Sequence, residues 1–407
     1  MGTTSAGKPE SSALSASGIL TAAREILPWT IDIRRDLHRH PELGLEEFRT
    51  CRRIGEYLDE IGIDHVDGLA GTGVLGIVQG TEDGPAVALR ADIDALPIQD
   101  AKEVDYRSEN SGKMHACGHD VHTSVLLGAA RILFGLREQL QGMVKLVFQP
   151  AEETVGGAKL LIEAGVLKDP PVAAIFGLHV DPEIEVGKFG VRYGQRNASS
   201  DSLKLRIHGS SGHAAYPAGG VDAIVMAAQV ISALQTIVSR NLDARESAVV
   251  SFGVIRGGTQ ANIMADEVEL LGTVRTLDPA IRAVVLRRVR EISEEIAGAL
   301  GGRAELEVEA GYDALINNDA MVDTVRSNAT RLVGADNVVK IERPNMGVED
   351  FAYYLSQVPG AFFTLGTGND AKGIVHPIHN ERFDVDENCL VYGVAVQVLN
   401  ALAILNG

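Results

Sequence analysis

Cysteine is scarce in this chain: Cys51, Cys117 and Cys389 are the only three among 407 residues. A sparse, odd set excludes a disulfide framework and points to a reducing compartment, so a cytoplasmic location is expected. Basic residues are also short, with 37 Lys and Arg against 55 Asp and Glu and a formal net charge of -18. That balance argues against nucleic acid and anionic membranes as partners, because both attract basic patches. It does not exclude an anionic small molecule, since one arginine or a metal pair can reverse the field in a single cleft. No apolar run reaches the roughly 18 residues of a membrane helix, so no span is expected. The opening Met1-Gly2-Thr3-Thr4-Ser5-Ala6-Gly7-Lys8-Pro9-Glu10 is small and polar. It lacks the basic and apolar regions of a signal peptide, and residues 1–24 are expected to form a disordered tail.

What remains is ordinary for a soluble globular protein, at 45% hydrophobic and 23% charged residues. The length is too great for one compact core and suits two domains or three.

The chemistry concentrates in a short turn, Met114-His115-Ala116-Cys117-Gly118-His119-Asp120-Val121-His122. An adjacent carboxylate pair follows in Gln149-Pro150-Ala151-Glu152-Glu153-Thr154. Thiolate, imidazole and carboxylate are the usual donors for a divalent transition metal. A second carboxylate beside a ligand is what an activated water needs as its base. Two neighbouring carboxylates share a cleft comfortably only when something cationic separates their roles. The pattern implies a metal-dependent hydrolase.

Periodicity predicts helix over residues 18–62, broken near His40-Pro41, then strands at 73–78 and 86–91. Helix 119–140, strand 143–148, helix 157–164 and strand 172–178 follow. This alternation predicts an α/β catalytic domain with a mostly parallel sheet flanked by helices. The candidate ligands lie just after strands, where open α/β sheets place their sites. From 198 to 310 the order becomes β-α-β-β-α-β, the split ferredoxin-like unit, an inserted α+β domain. Alternation then resumes, with helices at 319–332 and 349–355, a strand at 361–365 and a last helix at 386–405. The expected domains are therefore 25–197 with 311–407, and 198–310.

These residues resemble a known family, the dinuclear-metal aminoacylase and carboxypeptidase amidohydrolases, and within it the hippurate and auxin-conjugate hydrolases. The matching segments begin with Arg34-Arg35-Asp36-Leu37-His38, Pro41-Glu42-Leu43-Gly44 and Arg90-Ala91-Asp92-Ile93-Asp94-Ala95-Leu96-Pro97. They continue with His115-Ala116-Cys117-Gly118-His119-Asp120, Gln149-Pro150-Ala151-Glu152-Glu153 and Gly177-Leu178-His179-Val180. Gly347-Val348-Glu349-Asp350-Phe351 and His379-Asn380-Glu381-Arg382-Phe383 complete the series.

The resemblance implies two divalent ions, Mn2+ or Zn2+ with Co2+ and Ni2+ also admitted, held by Cys117, His119, Glu153, His179 and His379. Cys117 would bridge them and Glu152 would be the general base. Spacing to Phe383 favours His379 over His376 as the last ligand. Asp94 is expected to orient a ligand, and His38 and His122 to support the cluster. Asp92 stands where more distant relatives carry a ligand histidine. The inserted domain is implied to be a lid or dimerisation domain. Its His213 would polarise the scissile carbonyl, while Asn262 and Arg275 hold a substrate carboxylate. A homodimer or higher homo-oligomer acting on a small molecule is expected. One departure concerns specificity: Tyr216-Pro217-Ala218 follows where relatives commonly carry Met-Pro-His. Two rival readings are removal of an amine from an electron-poor aromatic or amidine-like carbon, and a decayed metal-binding scaffold.

Overall fold

The computed structural model describes residues 14–406, so residues 1–13 of the expected tail lie outside the described residues. Residues 14–24 are not tail. Helix α1 (Ala16–Glu25) starts there, because the Ser15 side chain caps it by accepting Gly18 N–H and because Ile19 and Ala23 are buried.

The chain divides into two compact units, one of residues 1–194, 317–342 and 353–407, the other of 195–316 and 343–352. The second differs from the expected insertion by recruiting 343–352, a stretch assigned by pattern to the catalytic domain. The reason is hydrogen bonding: Ala198 N–H donates to both Asn345 O and Gly347 O at 3.1 Å.

The first unit continues with α2 (Leu27–Arg39), α3 (Phe48–Ile61), β1 (Asp64–Leu69), β2 (Gly73–Gln79) and β3 (Glu82–Asp92). Then come α4 (His119–Gly135), β4 (Gln141–Gln149), α5 (Gly157–Glu163), β5 (Val172–Glu185) and β6 (Phe189–Val191). A short strand, β7 (Gly194–Asn197), leads into the second unit: β8 (Ser199–His208), α6 (Ala223–Thr236), β9 (Ala248–Gly257), β10 (Glu267–Thr276), α7 (Pro279–Ala299) and β11 (Arg303–Ala310). The return passes β12 (Leu315–Asn317), α8 (Asp319–Val333), β13 (Val338–Lys340), α9 (Ala352–Leu355), β14 (Gly360–Gly368) and α10 (Cys389–Leu405).

The first unit's sheet runs β1-β2-β4-β3-β5-β14-β6-β13. Its central strands β4, β3, β5 and β14 are parallel, while β1, β2 and β6 add antiparallel pairings toward the edges. The central strands carry buried apolar stretches, and β14 is buried along its whole length. Helices α4 and α10 are buried on nearly all sides and pack against each other. Strands β3 and β4 end at Asp92 and Gln149, which sets the residues after them along the carboxyl edge of the sheet.

The second unit has an antiparallel sheet in the order β11-β8-β10-β9, with α6 and α7 packed on it. Asp222 and Asp278 cap the two helices by accepting backbone N–H groups of their first turns. Helical residues Ala223–Asn241 are long and apolar enough to cross a membrane. However, Met226, Ala227, Val230 and Leu234 are buried in the unit's own core, while Ile224 and Val225 face solvent.

Candidate metal centre

Gly118 precedes α4 with φ +90°, and a Cβ there would run into Val180. Glycine therefore lets the turn close onto β5 and leaves His119 at the first helical position. Cys117, His119 and His179 have donor atoms within 4.8 Å of one another, and so do Cys117, Glu153 and His379. Cys117 is common to both groups. His119, Glu152 and Glu153 form a further overlapping group.

The ligand candidates turn their donor atoms toward one another, and His119 Nε2 and Glu153 Oε1 are buried without a hydrogen-bond partner. His119 Nδ1 lies 3.0 Å from Asp94 Oδ1, which leaves Nε2 buried with no hydrogen-bond partner. Asp94 Oδ2 meanwhile accepts the Glu153 backbone N–H at 3.0 Å. His179 Nδ1 donates to Val180 O at 2.7 Å, and its Nε2 faces Cys117 Sγ at 3.3 Å. His379 adopts φ +62°, a strained backbone for histidine, fixed by its N–H donating to Ala116 O at 2.8 Å. Its Nε2 lies 3.1 Å from Glu153 Oε1, an atom that is buried and makes no hydrogen bond. His376 is not part of these donor groups.

The field at this centre is strongly negative. Burial works against a charged His119, yet Asp92, Asp94 and Glu153 push its pKa up to about 10. Burial, with Glu153 and Glu152 nearby, drives the Cys117 thiol well above its usual range. His179 is lowered to about 3 by burial and by His122. Unshared imidazole and carboxylate atoms, a buried thiol and a negative field are a donor set that a divalent cation fits.

Some of the support was not legible in the sequence. Arg90 donates to Gln149 Oε1 at 2.8 Å and to Asp92 Oδ2 at 2.6 Å, and Asp92 Oδ1 then takes His122 Nδ1 at 2.5 Å. Behind the turn, Arg34 is fully buried and pairs with Asp120, Asp384 and Glu387. His38 lies between Asp120 and Asp100. The Arg34-Arg35-Asp36-Leu37-His38 motif was the available signal, but its partners Asp100, Asp120, Asp384 and Glu387 lie far along the sequence.

In the second unit His213 is exposed, its Nδ1 accepts Ala215 N–H at 3.1 Å, and its ring sits 5.4 Å from that of Tyr216. Asn262 is exposed and adjacent in space, since Ala214 N–H donates to Asn262 O at 3.0 Å. Arg275 lies on β10 between Ser200 and Val249 of the flanking strands, with Nη1 buried and without a hydrogen-bond partner.

The sequence pattern of peptidase family M20/M25/M40 matches residues 88–402. The chain belongs to this family. An N-acetylcysteine deacetylase of Bacillus subtilis (strain 168) is 40% identical over 376 residues, 92% of this chain and 96% of its own. IAA-amino acid hydrolase ILR1-like 4 of Arabidopsis thaliana is 39% identical over 386 residues, 93% and 87% of the two chains. A solved structure of a dinuclear metal binding peptidase from the M20 family, from Bacillus subtilis, matches with a TM-score of 0.83 and 36% identity. That match covers 94% of this chain and 99% of the other. This M20 family member is a metal-dependent hydrolase of amide bonds.

Proposed function

We propose that the enzyme cleaves the amide bond of a small N-acyl amino acid or peptide-like substrate. Two divalent ions, manganese or zinc, with cobalt and nickel compatible with the same donors, are held by Cys117, His119, Glu153, His179 and His379. The observation that carries this reading is that Cys117 belongs to two donor groups, one with His119 and His179 and one with Glu153 and His379, so that its thiolate would be available to either ion. When bound, the ions supply Lewis acidity, which acidifies water and polarises a carbonyl. Glu152, buried beside Glu153, takes the proton of the attacking water on a carboxylate oxygen and returns it to the leaving nitrogen.

His213 polarises the scissile carbonyl. Its Nδ1 is occupied as an acceptor, so the neutral ring carries its proton on Nε2 and offers that N–H to the developing oxyanion. Arg275 binds the substrate carboxylate with its planar fork, for which the unpartnered Nη1 is the support, and Asn262 adds a side-chain amide. The second unit also serves oligomerisation, as a homodimer or higher assembly. The exposed Ile224 and Val225 on α6, with Ile255 on the edge strand β9, favour this role. The three buried free cysteines suit a cytoplasmic enzyme.

The test is amine release from a panel of N-acyl amino acids, after chelation and again after adding manganese, zinc, cobalt or nickel. Metal-restored release supports the reading, and no release with any of the four metals on any member rejects it.

A further inference from the structure

Glu47 stands at the N-cap of α3 but does not cap that helix. Glu42 does so instead: its carboxylate accepts Arg49 N–H at 3.0 Å, Thr50 N–H at 2.7 Å and the Thr50 hydroxyl at 2.9 Å. Glu47 is thereby released to point inward, where it is fully buried. Burial pushes its pKa up to about 7, so holding this carboxyl inside the protein is costly. Its Oε2 accepts the Thr72 hydroxyl at 2.6 Å, and its Oε1 accepts Ala151 N–H at 2.9 Å.

Ala151 has φ +56°, a left-handed conformation that is unfavourable for an L-residue. The turn it makes is closed by Gly156 and Gly157 N–H groups donating to Ala151 O. Gly44 approaches so closely that a Cβ there would lie 2.5 Å from Thr154 Oγ1 and 3.1 Å from Ala151 Cα. Two residues on, Asp94 accepts Glu153 N–H. The backbone on either side of Glu152 is thus gripped by two buried carboxylates, one per flanking amide.

We infer that Glu47 is a positioning residue for Glu152: its hydrogen bond to the Ala151 amide holds the strained turn that aims the general base. This rests on the assignment of Glu152 as base. The Glu47 side chain acts as an acceptor, so the number of its oxygens aimed at Ala151 matters and its charge does not. A glutamine can serve equally, taking Ala151 N–H on its oxygen and giving its amide N–H to the Thr72 hydroxyl oxygen.

The test compares Glu47→Ala, Glu47→Gln, the double variant Glu47→Ala with Ala151→Gly, and Glu152→Gln. Each is measured for metal content, for kcat and KM on a substrate from the panel, and for amide exchange of residues 149–157 in the metal-free protein. Glu47→Ala is expected to keep its metal and KM while kcat falls about 10²-fold, the scale of an ångström of misplacement. Exchange of the turn should quicken. Glu47→Gln should match the wild type in kcat and exchange. Glycine at 151 removes the cost of the positive φ, so the double variant should regain part of the lost kcat. Wild-type kcat in Glu47→Ala, with Glu152→Gln inactive, would overturn the inference and leave the base assignment standing. Wild-type kcat in Glu152→Gln would instead reject that assignment. If Glu47→Ala does not fold, the glutamine variant decides: a loss of about 10²-fold there overturns the inference, and full activity with wild-type exchange supports it.

Discussion

His122 accepts the backbone N–H of Val180 on its Nε2 at 3.0 Å. Its Nδ1 meets Asp92, so both ring nitrogens are spent within the protein and neither is left for a cation. The peptide it grips follows His179, whose own Nδ1 donates to Val180 O. His122 thereby fixes the stretch of β5 that carries His179. His122→Phe should fold yet bind metal about 10–100-fold more weakly, as expected for losing an outer partner of a ligand. Competition with a chelator reads this directly, and unchanged affinity would show that the Val180 contact does not reach the ligand.

Cys117 belongs to two donor groups, whereas His179 and His379 each belong to one. Cys117→Ser should therefore lower the content of both ions, while His179→Ala and His379→Ala should each affect chiefly one. Elemental analysis of the three purified variants, compared with circular dichroism for folding, checks the pattern. Equal partial loss in all three would argue against a shared thiolate.

Arg275→Ala should raise KM for carboxylate-bearing substrates by the equivalent of about 2–5 kcal/mol, the usual consequence of truncating one partner of a buried charge pair. An uncharged amide analogue should be affected far less. Mixing Glu152→Gln chains with Arg275→Ala chains asks whether one subunit's arginine serves another's centre. Recovery of activity after proven subunit exchange indicates that it does, and none indicates that Arg275 serves its own chain.

Arg34 pairs with three carboxylates inside the first unit. Arg34→Met should lower stability by about 3–5 kcal/mol, because removing one side of a buried ion pair leaves the other uncompensated. Burial would raise the Asp384 pKa, but Arg34 and Lys102 pull it below its usual value. Such a carboxylate stabilises the fold above its unfolded pKa, about 3.9, and that contribution is lost as pH falls through the folded value. The difference between wild type and variant in urea denaturation should thus be largest near neutral pH and narrow in acid.

The proposed ligand residues stood out as candidates because each falls in a short motif and residue type alone restricts the chemistry. The parallel strands could be read for a related reason: β3, β4 and β5 each hold an apolar stretch, residues 86–89, 146–148 and 172–178, which marks strands buried on both faces. Short edge strands such as β6 and β13, of three residues each, carry too little pattern to be found. Periodicity reached α1 from residue 18, but the small, polar composition before it drew the tail too far, because Ile19 and Ala23 are held by packing against distant chain. Arg34 and Arg90 fell in matching motifs without a role of their own, and Glu47 in none. Nothing local marks them as buried, since their partners Ala151, Gln149 and Asp384 are fixed only by tertiary structure.

The most direct test of the metal-hydrolase account is turnover and metal content of Glu152→Gln, measured on the same preparation. A base that is not a ligand should leave both ions in place while turnover falls by about 10²–10⁴-fold. Loss of metal would make Glu152 a ligand, and wild-type turnover would remove it from the reaction; either result contradicts the account.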